Sequence, residues 1–170
     1  MGVALHERGT GNIFVMTDSQ VAPTASPTDQ ASSGTAYHLS VLLYSDDVAT
    51  RDSVRLAVGR RPARDVEVTT WFECATAAAA IEAVETGRFD VLVLDGEASP
   101  TGGLGLCRQL KDEVFSCPPV LVLTGRPQDG WLAAWSRADA AVPHPLDPMA
   151  LAVAVADLGR RAGASTTTSS

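Results

Sequence analysis

The chain has 170 residues, enough for one domain with a sizeable core. Its net charge of −7 argues against a free-standing nucleic-acid binder. The only lysine is Lys111, and the other basic residues are arginines or the rare histidines. Cys74, Cys107 and Cys117 show no pairing pattern and no metal spacing, which fits reduced, mostly buried thiols. No stretch approaches the length of a membrane span. His6, Glu7 and Arg8 fall where a signal peptide needs an apolar run, so the expectation is a cytoplasmic protein that spans no membrane.

Residues 1–37 are rich in Ser, Thr, Ala, Pro and Gly. Such a segment cannot bury enough apolar surface to offset its ordering entropy, so it is expected to be a disordered N-terminal tail. Met16 inside it is a second candidate start. The folded domain is expected over 38–161, followed by a second tail at 162–170.

Within the domain, apolar runs alternate with helical patterns. "LSVLLY" at 39–44 reads as a strand, and 47–59 as a helix with Val54 and Val58 four apart. "VEVTTWF" at 66–72 alternates as a half-buried strand does, and 76–87 is helical, with Thr76 as N-cap and Gly87 as stop. "DVLVLD" at 90–95 and "PPVLVLT" at 118–124 have the continuous apolar character of central parallel strands. Between them, 104–113 is a helix with Leu106 and Leu110 on one face. Residues 127–136 form a weaker helix that opens on a proline, and "DAAV" at 139–142 is a short strand. Asp147-Pro148 starts the last helix, whose buried stripe is Leu151, Val155 and Leu158. Strand-helix units in this order predict an α/β fold: a doubly wound five-stranded parallel sheet with helices on both faces.

Ligands in such folds sit beyond the carboxyl ends of the strands. Four of the expected strands deliver polar groups there: Ser45, Asp46 and Asp47 after the first, Asp95 after the third, Thr124 after the fourth and His144 after the fifth. A carboxylate ending a buried strand beside a second one suits a hard divalent cation such as Mg²⁺. Asp95 can then act as a nucleophile toward a phosphoryl group, with the Thr124 hydroxyl on a phosphoryl oxygen. The competing reading is that the carboxylates only cap helices, with Asp46 or Asp47 capping the first. Capping does not explain Asp95, whose next helix starts several residues later. His144 lies in "AAVPHPLDP" with no second histidine near it, which makes a metal centre built on it a poor fit.

At these residues the chain resembles the receiver domain of two-component response regulators, over about 39–160. The resemblance is carried by "VLLYSDD", "FDVLVLDGEASPTGGLGLCRQLK", "PPVLVLTG" and "AAVPHPLDP". It implies a flavodoxin-like receiver fold and a phosphoryl group passed from a histidine kinase to Asp95. Aligned on Arg51, the Mg²⁺-binding acidic pair falls at Ser45 and Asp46. The metal set it implies is Asp46, Asp95 and the backbone carbonyl of Glu97. Thr124 takes the place of the phosphate-contacting hydroxyl residue, Gly103 opens the third helix, and the His144–Pro145 bond is expected to be cis.

Three departures stand out. Ser45 replaces one acid, Ala141 stands where an aromatic switch residue is expected, and His144 stands where a lysine would neutralise the aspartyl phosphate. Histidine as a residue type is mostly neutral at neutral pH, and its ring is shorter than a lysine stem. The loop is altered too, with Pro100 one place late and Gly102 where an acid is common.

The expectation is an atypical, stand-alone receiver that works by docking to a protein partner, with impaired or absent phosphorylation of Asp95 and at most weak Mg²⁺ binding. No output domain is expected after residue 160, and no nucleic-acid partner. The alternative is a phosphorylatable single-domain regulator that accepts a phosphoryl group on Asp95. Trp131 and Trp135, four apart on the fourth helix, are the candidate docking residues; the competing reading puts both in the core. Catalysis is not expected. "DGE" at 95–97 resembles the aspartate pair of phosphatase-type hydrolases, but no lysine accompanies it, and nucleophile-elbow, phosphate-loop and zinc motifs do not occur.

Overall fold

The computed structural model describes residues 36–167, with side chains through 165. Residues 1–35 of the tail expected over 1–37, and the choice between Met1 and Met16, lie outside the described residues. Five strands and five helices alternate: β1 (Tyr37–Tyr44), α1 (Val48–Val58), β2 (Val66–Cys74), α2 (Ala77–Thr86), β3 (Val91–Asp95), α3 (Gly103–Glu113), β4 (Val120–Thr124), α4 (Gly130–Trp135), β5 (Ala140–Pro143) and α5 (Pro148–Thr167). All strand pairs are parallel, in the order β2-β1-β3-β4-β5. The chain order reverses between β1 and β3, which opens a crevice at their carboxyl ends.

The central strands are buried on both faces, as their unbroken apolar runs require. Period-2 alternation sorts their side chains into two layers. Val41, Leu43, Val91, Val93, Leu121 and Leu123 pack with Val54 and Val58 of α1 and Leu151, Val155 and Leu158 of α5. Leu42, Tyr44, Leu92, Leu94, Val120 and Val122 face Ala80 and Val84 of α2, Leu106 and Leu110 of α3 and Ala133 of α4. Each fully buried Leu or Val in these layers contributes about 1.5–3 kcal/mol by leaving water. Cys74 and Cys107 belong to the second layer, with Cys117 half-buried beside it, and all three are free thiols. Burial pushes the Cys107 thiol up to about 11.

The expected caps are present. Asp47 accepts from the amides of Ala49 and Thr50, Thr76 from that of Ala79, and Asp147 from that of Ala150. Three boundaries need correction. Tyr37, expected in the N-terminal tail, is the first residue of β1, its amide donating to the Asp65 carbonyl at 2.8 Å. The helix expected over 127–136 divides into a 3-10 turn, Pro127–Asp129, and the short α4, because Gly130 follows the turn and Arg137 takes φ 64 just past the helix end. Residues 162–167, expected in the C-terminal tail, belong to α5. Alanines favour continuing the helix. Gly163 also lets α5 lie against Tyr37 of β1, where a Cβ would stand 2.7 Å from the ring. Among the described residues, no helix is long and apolar enough to cross a membrane.

Candidate functional site

Parallel register brings the expected polar residues to one edge. Tyr44 pairs with Leu94, so Ser45 comes beside Asp95 one step further along. Asp95 pairs with Leu123, which places Thr124 next to it, and Thr124 pairs with Pro143, just before His144. The His144 amide donates to the Thr124 carbonyl at 2.8 Å, extending the ladder past β5. Gly103 lets α3 start against the end of β3, since a Cβ there would meet the Asp95 carbonyl at 2.6 Å. The His144–Pro145 bond is cis, as expected, and Ser99–Pro100 is cis as well.

Asp95 is 3 % exposed and both its oxygens have partners. Oδ1 accepts from the Glu97 amide at 3.0 Å, and Oδ2 accepts from the Ser45 hydroxyl at 2.7 Å. Ser45 is 0 % exposed. Its oxygen accepts from the Asp47 amide at 3.2 Å, and of the two acceptors in reach of its proton the Asp95 carboxylate is the nearer and the charged one, with the Asp47 carbonyl at 3.4 Å. The Arg51 Nη1 donates to the Ser45 carbonyl at 2.6 Å, while its Nε meets Glu73 at 3.2 Å. Tyr44, buried in the second core layer, donates its hydroxyl to the Thr101 carbonyl at 2.6 Å and so ties β1 to the β3–α3 loop. Burial raises the Tyr44 pKa, with the carboxylates of Asp46 and Asp95 adding to the shift.

The other expected site residues are dispersed. Asp46 is exposed. Asp47 is committed to capping α1, and its bonds to Thr50 and Ala49 hold its carboxyl below the usual range. Glu97 is exposed, and its carboxylate lies over Gly125, where a Cβ would clash with it. The Thr124 hydroxyl is buried and donates to the Arg126 carbonyl at 3.3 Å. His144 lines a shallow cleft with Asp47, Thr50, Ser53 and Leu146. Lys111 lies at the opposite edge, pairing with Asp139 at 2.7 Å and with the Pro118 carbonyl at 3.2 Å, below the start of β4.

These donors do not fit a divalent cation well. Among the described residues, no three His, Cys, Asp or Glu side chains gather to hold a metal, and no buried side-chain polar atom lacks a partner. The strand-end pattern pointed to Asp95 and Thr124. The receiver resemblance implied Ser45 only as a replaced acid and Arg51 only as an alignment mark, and neither pointed to the Tyr44 hydroxyl. The one sign of Ser45's role was a hydroxyl residue at the place of an acid.

Trp131 and Trp135 are 68 % and 53 % exposed, so the core reading of the pair does not hold. α4 buries Ala133, which leaves the two tryptophans outward. The Arg108 guanidinium stands 5.9 Å from the Trp135 ring and donates to the Trp135 carbonyl at 3.0 Å, pinning α4 to α3. Ala141, where a ring was expected, is exposed.

No protein-family model matches the chain. An uncharacterised response regulatory protein of Mycobacterium tuberculosis is 54% identical over 122 residues, covering 72% of this chain and 92% of the relative. Among solved structures, the receiver domain of Francisella response regulator 1452 matches with a TM-score of 0.62 at 18% identity, covering 72% of this chain and 98% of that one. A CheY-like response regulator receiver domain protein of Methanospirillum hungatei matches with a TM-score of 0.59 at 18% identity, covering 77% and 99%. The solved structures share the fold, and the mycobacterial relative shares sequence over nearly its whole length. The chain belongs to the response regulator family and carries its receiver domain.

Proposed function

We propose that this receiver domain is a docking module that signals through a protein partner without phosphorylation of Asp95. The observation that carries the reading is the place of the chain's only lysine. Lys111 is held by Asp139 at the amino edge of the sheet, while His144 occupies the loop beside Thr124. An aspartyl phosphate adds charge in a confined site and needs a fixed cation to neutralise it. The reading assigns no catalytic reaction to the chain, no nucleic-acid partner, and a place in the cytoplasm. The partner surface is α4, where Trp131 and Trp135 supply large, outward aromatic area of the kind that dominates binding hot spots.

A second reading is favoured by one observation: Asp95 and Thr124 still stand side by side at the ends of β3 and β4. In that reading a histidine kinase delivers a phosphoryl group to Asp95. Affinity capture from native extract separates the two. With docking, native chain and Asp95→Asn retain the same proteins in the same amounts. Loss of the captured proteins in Asp95→Asn alone favours the phosphorylated regulator.

A further inference from the structure

We infer that Ser45 is the positioning residue that takes the place of a cation at Asp95. This deepens the reading of a silent acceptor and rests on it only in treating Asp95 as unphosphorylated. A buried carboxylate must be compensated by hydrogen bonds or by a cation. Here the compensation is complete without an ion. The Glu97 amide serves Oδ1 at 3.0 Å and the Ser45 hydroxyl serves Oδ2 at 2.7 Å. A bound Mg²⁺ would have to share Oδ2 with the hydroxyl proton, which draws on the same charge.

Turning the hydroxyl proton away from Asp95 would exchange the 2.7 Å charge-assisted bond for a 3.4 Å contact with the Asp47 carbonyl. The Arg51 guanidinium, held between the Ser45 carbonyl at 2.6 Å and the Glu73 carboxylate at 3.2 Å, fixes the backbone of Ser45. Asp46 is exposed to water and Asp47 caps α1, so no neighbouring side chain brings a second buried carboxylate to the ion. Mg²⁺ parts with its water reluctantly and binds proteins through one or two carboxylates in near-octahedral geometry. One carboxylate with both oxygens engaged is a poor offer.

Calorimetric titration of the full chain with MgCl₂ tests this, with Ser45→Ala and Ser45→Asp alongside and a circular-dichroism melt to verify each fold. Ser45→Ala removes the proton that competes for Oδ2 and is expected to bind Mg²⁺ roughly tenfold more tightly than the native chain, the worth of one hydrogen bond to a charged group. Adding Asp95→Asn to Ser45→Ala should abolish that gain. Ser45→Asp supplies a second carboxylate and is expected to bind more tightly still. If Ser45→Asp does not fold, Ser45→Ala decides alone. Equal Mg²⁺ affinity in native and Ser45→Ala overturns the inference, as does tight, Asp95-dependent binding by the native chain. Capture of the same partners by Asp95→Asn would leave the docking reading standing in either case. Loss of partners in that variant, with the Ser45→Ala gain intact, would sink docking and keep the role of Ser45.

Discussion

Ser45 Oγ donates a 2.7 Å hydrogen bond to Asp95 Oδ2, joining two buried residues at the carboxyl ends of the neighbouring strands β1 and β3. The bond turns a missing acid into a donor, and it serves the one carboxylate that the core cannot leave bare. Ser45→Ala removes that donor while Asp95 stays buried. The expected cost is about 1–3 kcal/mol, read as a lower urea midpoint at an unchanged slope. A midpoint equal to that of the native chain would mean that water replaces the hydroxyl.

The tryptophans of α4 carry the docking claim. Trp131→Ala and Trp135→Ala should each weaken partner capture while the melting temperature moves little, because both rings are more than half exposed. Trp135→Ala should be the more disturbing to the fold, since the Arg108 guanidinium rests 5.9 Å from that ring. Undiminished capture by both variants would remove α4 as the partner surface.

Much of this molecule is readable from residue patterns. The unbroken apolar run of β3 and the caps Asp47, Thr76, Gly87 and Asp147 place most elements, because they depend on local chemistry. The end of α5 was not readable. It depends on Gly163 meeting Tyr37, a contact between residues more than a hundred positions apart. Ser45 was visible as a departure, but its bond to Asp95 was not, because that depends on the register of β1 against β3, which sets the carboxylate 2.7 Å from the hydroxyl. Trp131 and Trp135 were undecided for the same reason: which face of a six-residue helix is buried is set by its neighbours.

The loop before β2 is clamped to α5 by Arg160, which donates to both oxygens of Asp65 at 2.8 and 2.7 Å. That bond holds the Asp65 carboxyl at about 2, below its ordinary 3.8, and Asp157 adds a third contact to the guanidinium. A carboxyl held low in the folded state stabilises it above about 3.8, and the contribution is lost as pH falls toward about 2. Asp65→Asn should therefore flatten the fall of the melting temperature between those two values. High salt should flatten it in part, because the pair is solvent-accessible. An identical acid profile in native and variant would show that the clamp adds nothing to stability.

On the docking reading, His144 and Ser45 together should keep Asp95 from taking up a phosphoryl group. The double variant Ser45→Asp/His144→Lys restores a second carboxylate and a long-stemmed ammonium at the positions the receiver resemblance assigns to them. It is expected to take up phosphoryl from a small phosphodonor faster than the native chain, read as phosphoprotein by intact mass. A variant that folds but stays unlabelled would mean that the loop at Pro100 and Gly102, rather than these two residues, disables the acceptor.

The most direct measurement is the intact mass of the native chain after incubation with MgCl₂ and acetyl phosphate, with Asp95→Asn as control. The account predicts no phosphoryl adduct on either protein. Rapid labelling of the native chain that Asp95→Asn abolishes would contradict it and make Asp95 a working phospho-acceptor.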